Sequence, residues 1–270
     1  MTILGLPSDR MIVMGILNVT PDSFADGGRF HTTDLAVARA LVMIDEGVDI
    51  IDIGGESTRP GAEQISADEE QSRVIPVIEA LKETGVEISN DTKKASTARA
   101  AIQSGAKIVN DVSAGLADAD MLATVASLGC PYIAMHSRGN SQEMGSLAVY
   151  QDVVKDVLSE LAERAREALA AGISRSNLIL DPGLGFAKEA DHNWALLNNL
   201  DAIKELGFPV LIGASRKRFL GSAVNAQSPD DREEATVALT ALIANQGIWG
   251  VRVHSVRPHR DAIAIAGRLR

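Results

Sequence analysis

The chain has 270 residues, 46% hydrophobic, 23% charged and 3% aromatic, so it can bury a substantial core, and that core must be aliphatic. A formal charge of −10 argues against a general nucleic-acid-binding face, and no apolar run is long enough to suggest a membrane span. The opening MTILGLPSDR lacks a basic stretch leading into an apolar one, and the one cysteine, Cys130, cannot form an internal disulfide, so the expected location is the cytoplasm.

In chain order, residues 11–17 read as an apolar strand ending at Asn18, and 35–46 carry apolar residues at helical spacing. Residues 48–53 form a second strand containing Asp52, and Ser66-Ala67-Asp68-Glu69 has the form of a capping box ahead of a helix over 72–83. Strands at 86–89 and 106–109 lead to Asp91 and Asn110, with helices at 97–104 and 121–128. Strands at 131–135, 178–180, 208–213 and 248–254 lead to His136, Asp181, Ser215 and His254. Helices at 151–171, 194–205, 233–245 and 258–269 follow them. Glycines such as Gly47, Gly105 and Gly129 stand where helices should end.

Eight apolar strands alternating with eight helices imply a parallel sheet. The expected fold is α/β: a (β/α)8 TIM barrel, one domain over 1–270 with its core at about 11–269, in preference to a doubly wound open sheet. The long connections at 18–34, 54–64, 136–149, 181–191 and 215–232 all run from strand to helix, on the rim where barrel enzymes place their sites. One polar residue at a strand end can simply cap the next helix, but eight of them on one rim suggest a pocket.

Side chains alternate along a strand, so Arg252 and His254 share a face. With the nearby Ser215-Arg216-Lys217-Arg218 they outline an anion corner. Asp91 and Asp181 suit an acid/base pair, or equally the paired acceptors for a guanidine-like ring edge. Asn90 should face the helices, buried and in need of a partner, and Asp111 should organise the following loop. Glu56 suits either acid/base work or loop structure. His31, His192 and His259 should be solvated or capping.

The ordered set Asn18-Val19-Thr20-Pro21-Asp22-Ser23-Phe24, Gly54-Gly55-Glu56-Ser57-Thr58-Arg59-Pro60-Gly61, Asp91-Thr92, Asn110-Asp111-Val112-Ser113, Met135-His136, Asp181-Pro182-Gly183-Leu184-Gly185-Phe186-Ala187-Lys188, Ser215-Arg216-Lys217 and Arg252-Val253-His254 resembles the dihydropteroate synthase family. The resemblance runs from about Met11 to Leu269. It implies a transferase of folate biosynthesis that condenses 6-hydroxymethyl-7,8-dihydropterin pyrophosphate with 4-aminobenzoate. It further implies that Asp91, Asn110, Asp181 and Lys217 hold the pterin, with Asp52 and Met135 lining its slot. Asn18, Arg59, Arg252 and His254 would hold the pyrophosphate, and Asn18 with phosphate oxygens would bind Mg²⁺. Thr58, Arg59, Pro60, Phe186 and Ser215 would form the 4-aminobenzoate pocket, and Asp26 would stabilise a pterin cation. By the same resemblance a homodimer is expected, and a nucleic-acid or membrane partner is not.

Three other readings share some of these residues. A pterin-binding methyltransferase would need no pyrophosphate clamp, which the Thr58-Arg59-Pro60-Gly61 loop and the Ser215-Arg216-Lys217 cluster argue for. A Schiff-base lyase would be built on Lys217. A non-catalytic scaffold should have lost Asn18, Arg59 or Lys217, and all three are present.

Overall fold

The computed structural model describes residues 3–20, 29–57 and 61–269, leaving aside the side chains of 29–32. Its strands are β1 (Ile12–Asn18), β2 (Ile50–Gly54), β3 (Glu87–Asp91), β4 (Ile108–Asp111), β5 (Tyr132–Met135), β6 (Leu178–Asp181), β7 (Leu211–Ile212) and β8 (Gly250–Val253). They form one eight-stranded parallel sheet in the order β6-β5-β4-β3-β2-β1-β8-β7. The two ends meet through a parallel bridge between Leu180 and Val210, with Leu180 N donating to Pro209 O at 2.9 Å, which closes the barrel.

The helices are α1 (Arg29–Asp45), α2 (Ala67–Leu81), α3 (Ala95–Ser104), α4 (Met121–Leu128), α5 (Val153–Ala170), α6 (Ala190–Leu197), α7 (Leu200–Lys204), α8 (Arg218–Val224), α9 (Glu233–Ile243) and α10 (Arg257–Ala266). Among the described residues there are thus ten helices where eight are expected. The helix expected over 194–205 is two, α6 and α7, broken at Asn198 and Asn199. The connection after β7 contains its own helix, α8, which ends on left-handed Asn225. Local capping sets several boundaries. Ser66 Oγ accepts from Glu69 N at 3.1 Å, so α2 starts five residues before its predicted start, and Asp152 Oδ1 caps α5 through Lys155 N at 3.2 Å. Strand β7 is only two residues long, because its neighbours 208–210 meet β6 through the single bridge.

Two layers of side chains fill the barrel. Toward the amino ends of the strands, Ile12, Met14, Ile50, Ile108, Ile133, Ile179 and Leu211 form an aliphatic plug, joined by Ile3 and Leu6 from the segment before β1. Two residues further along β2, β4 and β6 the same inward face becomes polar, with Asp52, Asn110 and Asp181, and Arg252 on β8 joins them. The outward faces pack against the helices in two aliphatic clusters. No described helix is long and apolar enough to cross a membrane.

Candidate active site

The polar layer is one connected network. Arg252 on β8 donates from Nε to Asp52 on β2 at 2.6 Å and from a terminal nitrogen to Asp91 on β3 at 2.7 Å. Asn110 on β4 donates to the same Asp52 Oδ2 at 3.0 Å, while Asp52 Oδ1 is buried with no partner among the described residues. An unpaired buried acceptor in an inward-facing layer is the kind of group a bound N–H donor would satisfy.

Across the barrel, Asp181 accepts from Gly183 N at 2.7 Å. A Cβ added to Gly213 would lie 3.5 Å from Asp181 Oδ2 and 3.9 Å from Lys217 Nζ, so this glycine leaves the space between the two charges open. Lys217 Nζ also donates to Leu184 O and stands 4.7 Å from the centre of the Phe186 ring. Met135 shares its strand face with Ile133 and is buried on the same side.

Charge is concentrated here in a dry environment. Burial pushes the Asp91 carboxyl up, opposed by Arg252 and reinforced by Asp52. Burial likewise raises Asp181, with Lys217 and the Gly183 amide pulling it back. Burial brings Lys217 down to about 8, Arg252 adds to that, and Asp181 opposes it. Burial works against the charge on Arg252, but Asp52 and Asp91 outweigh it and raise its pKa.

At the rim, Ser215 Oγ and His254 Nδ1 lie 2.8 Å apart, and the His254 amide donates to the same oxygen at 3.2 Å. Asn18 ends β1 beside Gly54, whose added Cβ would lie 3.8 Å from Asn18 Oδ1 and 3.7 Å from Asp91 Oδ2. Among the described residues no cluster of three acidic, His or Cys side chains could cage a metal. The resemblance assigns one amide oxygen, that of Asn18, to Mg²⁺, an ion that takes few protein ligands beside phosphate and water.

The structure brings together Asp52, Asp91, Asn110, Asp181, Lys217 and Arg252, and separately Ser215 with His254. Arg252, however, lies against the two carboxylates expected for the pterin, so the two expected subsites share one network. Asp26, Thr58, Arg59 and Pro60 lie outside the described residues.

Three expectations are corrected. Arg216 does not join the anion corner. Its φ of +57° turns it away from its neighbours, and it binds Glu233 and Asp230, each at 2.6 Å, and Ser255 at 3.1 Å. His136 follows Met135 by one residue and therefore leaves the barrel, where it meets Glu160 and Lys188. His259 is fully buried rather than solvated, held between Thr240 at 2.8 Å and Glu233 at 3.2 Å. His192 does cap α6, accepting from Glu189 N at 3.1 Å.

Asp111 organises its loop through Ser113, Gly115 and Tyr132. Glu56 takes the structural alternative, bound by Lys93 at 2.8 Å, Lys94 at 2.5 Å and Ile65 N at 3.2 Å. Neither the slot at Gly213 nor the burial of Lys188 is expected from the strand pattern. A lysine closing an otherwise apolar Gly-rich turn was the available signal for the second.

A family model described as pterin binding enzyme matches residues 14–254. The chain is 49% identical over 261 residues to a dihydropteroate synthase of Mycobacterium leprae, covering 94% of this chain and 92% of that one. A crystal structure of Xanthomonas albilineans dihydropteroate synthase with 4-aminobenzoic acid superimposes with a TM-score of 0.92 at 44% identity, covering 98% of this chain and 94% of that one. The same enzyme in complex with 7,8-dihydropteroate gives a TM-score of 0.88 at 41% identity, covering 98% and 95%.

Proposed function

The chain belongs to the pterin binding enzyme family, and from that premise we infer that it is a transferase making 7,8-dihydropteroate and pyrophosphate from 6-hydroxymethyl-7,8-dihydropterin pyrophosphate and 4-aminobenzoate. The observation that carries this reading is the buried, charged layer of Asp52, Asp91, Asn110, Asp181, Lys217 and Arg252 above an aliphatic plug. A pterin presents a flat edge of N–H donors and one carbonyl, which is complementary to these acceptors and to the Lys217 ammonium.

Asp91, Asn110 and Asp181 accept from the ring edge, Lys217 donates to the ring carbonyl or N5, and Asp52 and Met135 line the slot. Asn18, Arg59, Arg252 and His254 hold the pyrophosphate. Asn18 would also hold Mg²⁺ beside the phosphate, and the ion would supply positive charge to the leaving group. The carbon–oxygen bond from the pterin methylene to pyrophosphate breaks, and its electron pair leaves with the phosphate. The cationic clamp favours that charge. The 4-aminobenzoate nitrogen then bonds to the methylene carbon and loses a proton. Thr58, Arg59, Pro60, Phe186 and Ser215 seat this second substrate, and Asp26 stabilises positive charge on the pterin. The enzyme works in the cytoplasm as a homodimer.

The deciding measurement is pyrophosphate release by the purified protein. It should need both substrates and be promoted by Mg²⁺. Release at full rate from the pterin pyrophosphate alone would rule out the condensation.

A further inference from the structure

Beneath the turn between β6 and α6 lies a chain of titratable groups outside the substrate slot. Lys188, buried at the end of that turn, places Nζ 2.8 Å from His136 Nδ1 and donates to Gly183 O and Phe186 O, both at 3.0 Å. His136, buried as well, bonds through Nε2 to Glu160 on α5 at 2.9 Å, and Arg138 binds the same carboxylate from outside. An ammonium has three N–H bonds, and three acceptors meet it here. If the proton sits on His136 instead, the neutral amine still donates to both carbonyls and accepts from the ring. The hold on the turn is the same in either state. Burial and the neighbouring Lys188 bring His136 down to about 4. Burial also lowers Lys188, where Asp181 opposes it and Lys217 and Arg138 add to it.

The turn needs such a hold. Gly183, Gly185 and Ala187 take left-handed φ values of +66°, +75° and +47°. Alanine pays for that conformation with a Cβ clash, so its neighbours must keep it there. Tyr150 OH does so in part, donating to Ala187 O at 2.9 Å. Gly183 packs so closely on the end of β5 that an added Cβ would lie 1.9 Å from His136 O. The other side of the turn faces the site through Gly183 N on Asp181, Leu184 O on Lys217 and the Phe186 ring.

We propose that Lys188, backed by His136 and Glu160, is a positioning residue for the arylamine end of the site, setting the Phe186 ring and the Leu184 carbonyl against Lys217. The proposal rests on the condensation described above. The test pairs steady-state kinetics with amide hydrogen exchange on the full chain. In Lys188→Met the KM for 4-aminobenzoate should rise at least about tenfold, and by clearly more than the Kd for the pterin pyrophosphate, which feels the turn only through Lys217 and Asp181. Amides of 183–187 should lose protection while those of β5 keep theirs. His136→Asn, whose Oδ1 can replace Nδ1 as acceptor, should keep KM nearer wild type than His136→Leu does.

An unchanged KM and unchanged exchange in folded Lys188→Met would overturn the proposal, as would equal changes in KM and in the pterin Kd. If Lys188→Met does not fold, equal KM values in the two His136 variants would overturn it. If the wild type makes no dihydropteroate, the functional reading fails, and the exchange comparison still decides whether Lys188 holds the turn.

Discussion

Lys217 stands between two opposed influences. Burial and Arg252 disfavour its charge, Asp181 favours it, and the result is a pKa of about 8. If the protonated amine is the form that binds pterin, it is present below that value and lost as pH rises through it. The pH profile of kcat/KM, which reports the free enzyme, should therefore fall on a basic limb near 8. Lys217→Arg should remove that limb, because a guanidinium does not titrate there. A limb that persists in the variant would assign it to another group. Stability should move the opposite way. The unfolded lysine keeps its proton to about 10.4, so between about 8 and that value the unfolded state binds more protons and folding grows more favourable as pH rises.

Asp181 offers a more direct test. Its carboxylate faces the gap at Gly213 with Gly183 N already bound to one oxygen. Asp181→Asn exchanges a charged acceptor for a neutral amide, worth about 1.5–3 kcal/mol, so Kd for a pterin should rise about 10- to 150-fold by calorimetry. Equal affinity in wild type and variant would remove Asp181 from the pterin slot.

Among the elements, β3 carries a local conflict. Asn90 is fully buried facing the helices, where Nδ2 donates to Ile53 O at 3.0 Å but Oδ1 has no partner among the described residues. The expected partner exists for one half of the amide only. Asn90→Val suits a buried parallel strand and removes the orphaned oxygen. It should stabilise by about 1 kcal/mol, or about 2–4 °C in Tm, with kcat unchanged. A lower Tm in a thermal melt would mean that the bond to Ile53 outweighs the orphan.

The turn after β6 illustrates the other limit of reading an element locally. Its glycines mark tight backbone, but nothing nearby in sequence announces that His136 and Glu160 support it from 52 and 28 residues earlier.

At the scale of the whole molecule, the late helices leave large apolar side chains in water: Leu242 at 72%, Ile265 at 65% and Leu269 at 80% exposure. α9 and α10 pack on each other, so Leu242 and Ile265 lie on neighbouring helices, and Leu269 follows α10 three residues past its end. Burying them against a second copy is the outcome that the proposed dimer requires. Sedimentation should give a dimer for the wild type and a monomer for Ile265→Asp, with the barrel still folded. A wild type that stays monomeric at every concentration would refute the dimer.

The sequence alone determined the alternation of strand and helix, the rim on which the site lies and the strand ends that carry Asp52, Asp91, Asn110, Asp181 and Arg252. Those features follow from apolar periodicity and from the length of each strand-to-helix connection, which need no tertiary information. Tertiary structure decided which of these groups touch. Arg252 reaches Asp52 and Asp91 across 200 and 161 residues, because the barrel sets β8, β1, β2 and β3 side by side. It also separated Arg216 from Lys217. One left-handed residue sends Arg216 to Glu233 and leaves its neighbour Lys217 beside Asp181 at Gly213. A charge's place in the chain set which strand end it occupies, and strand register with backbone handedness set what it binds.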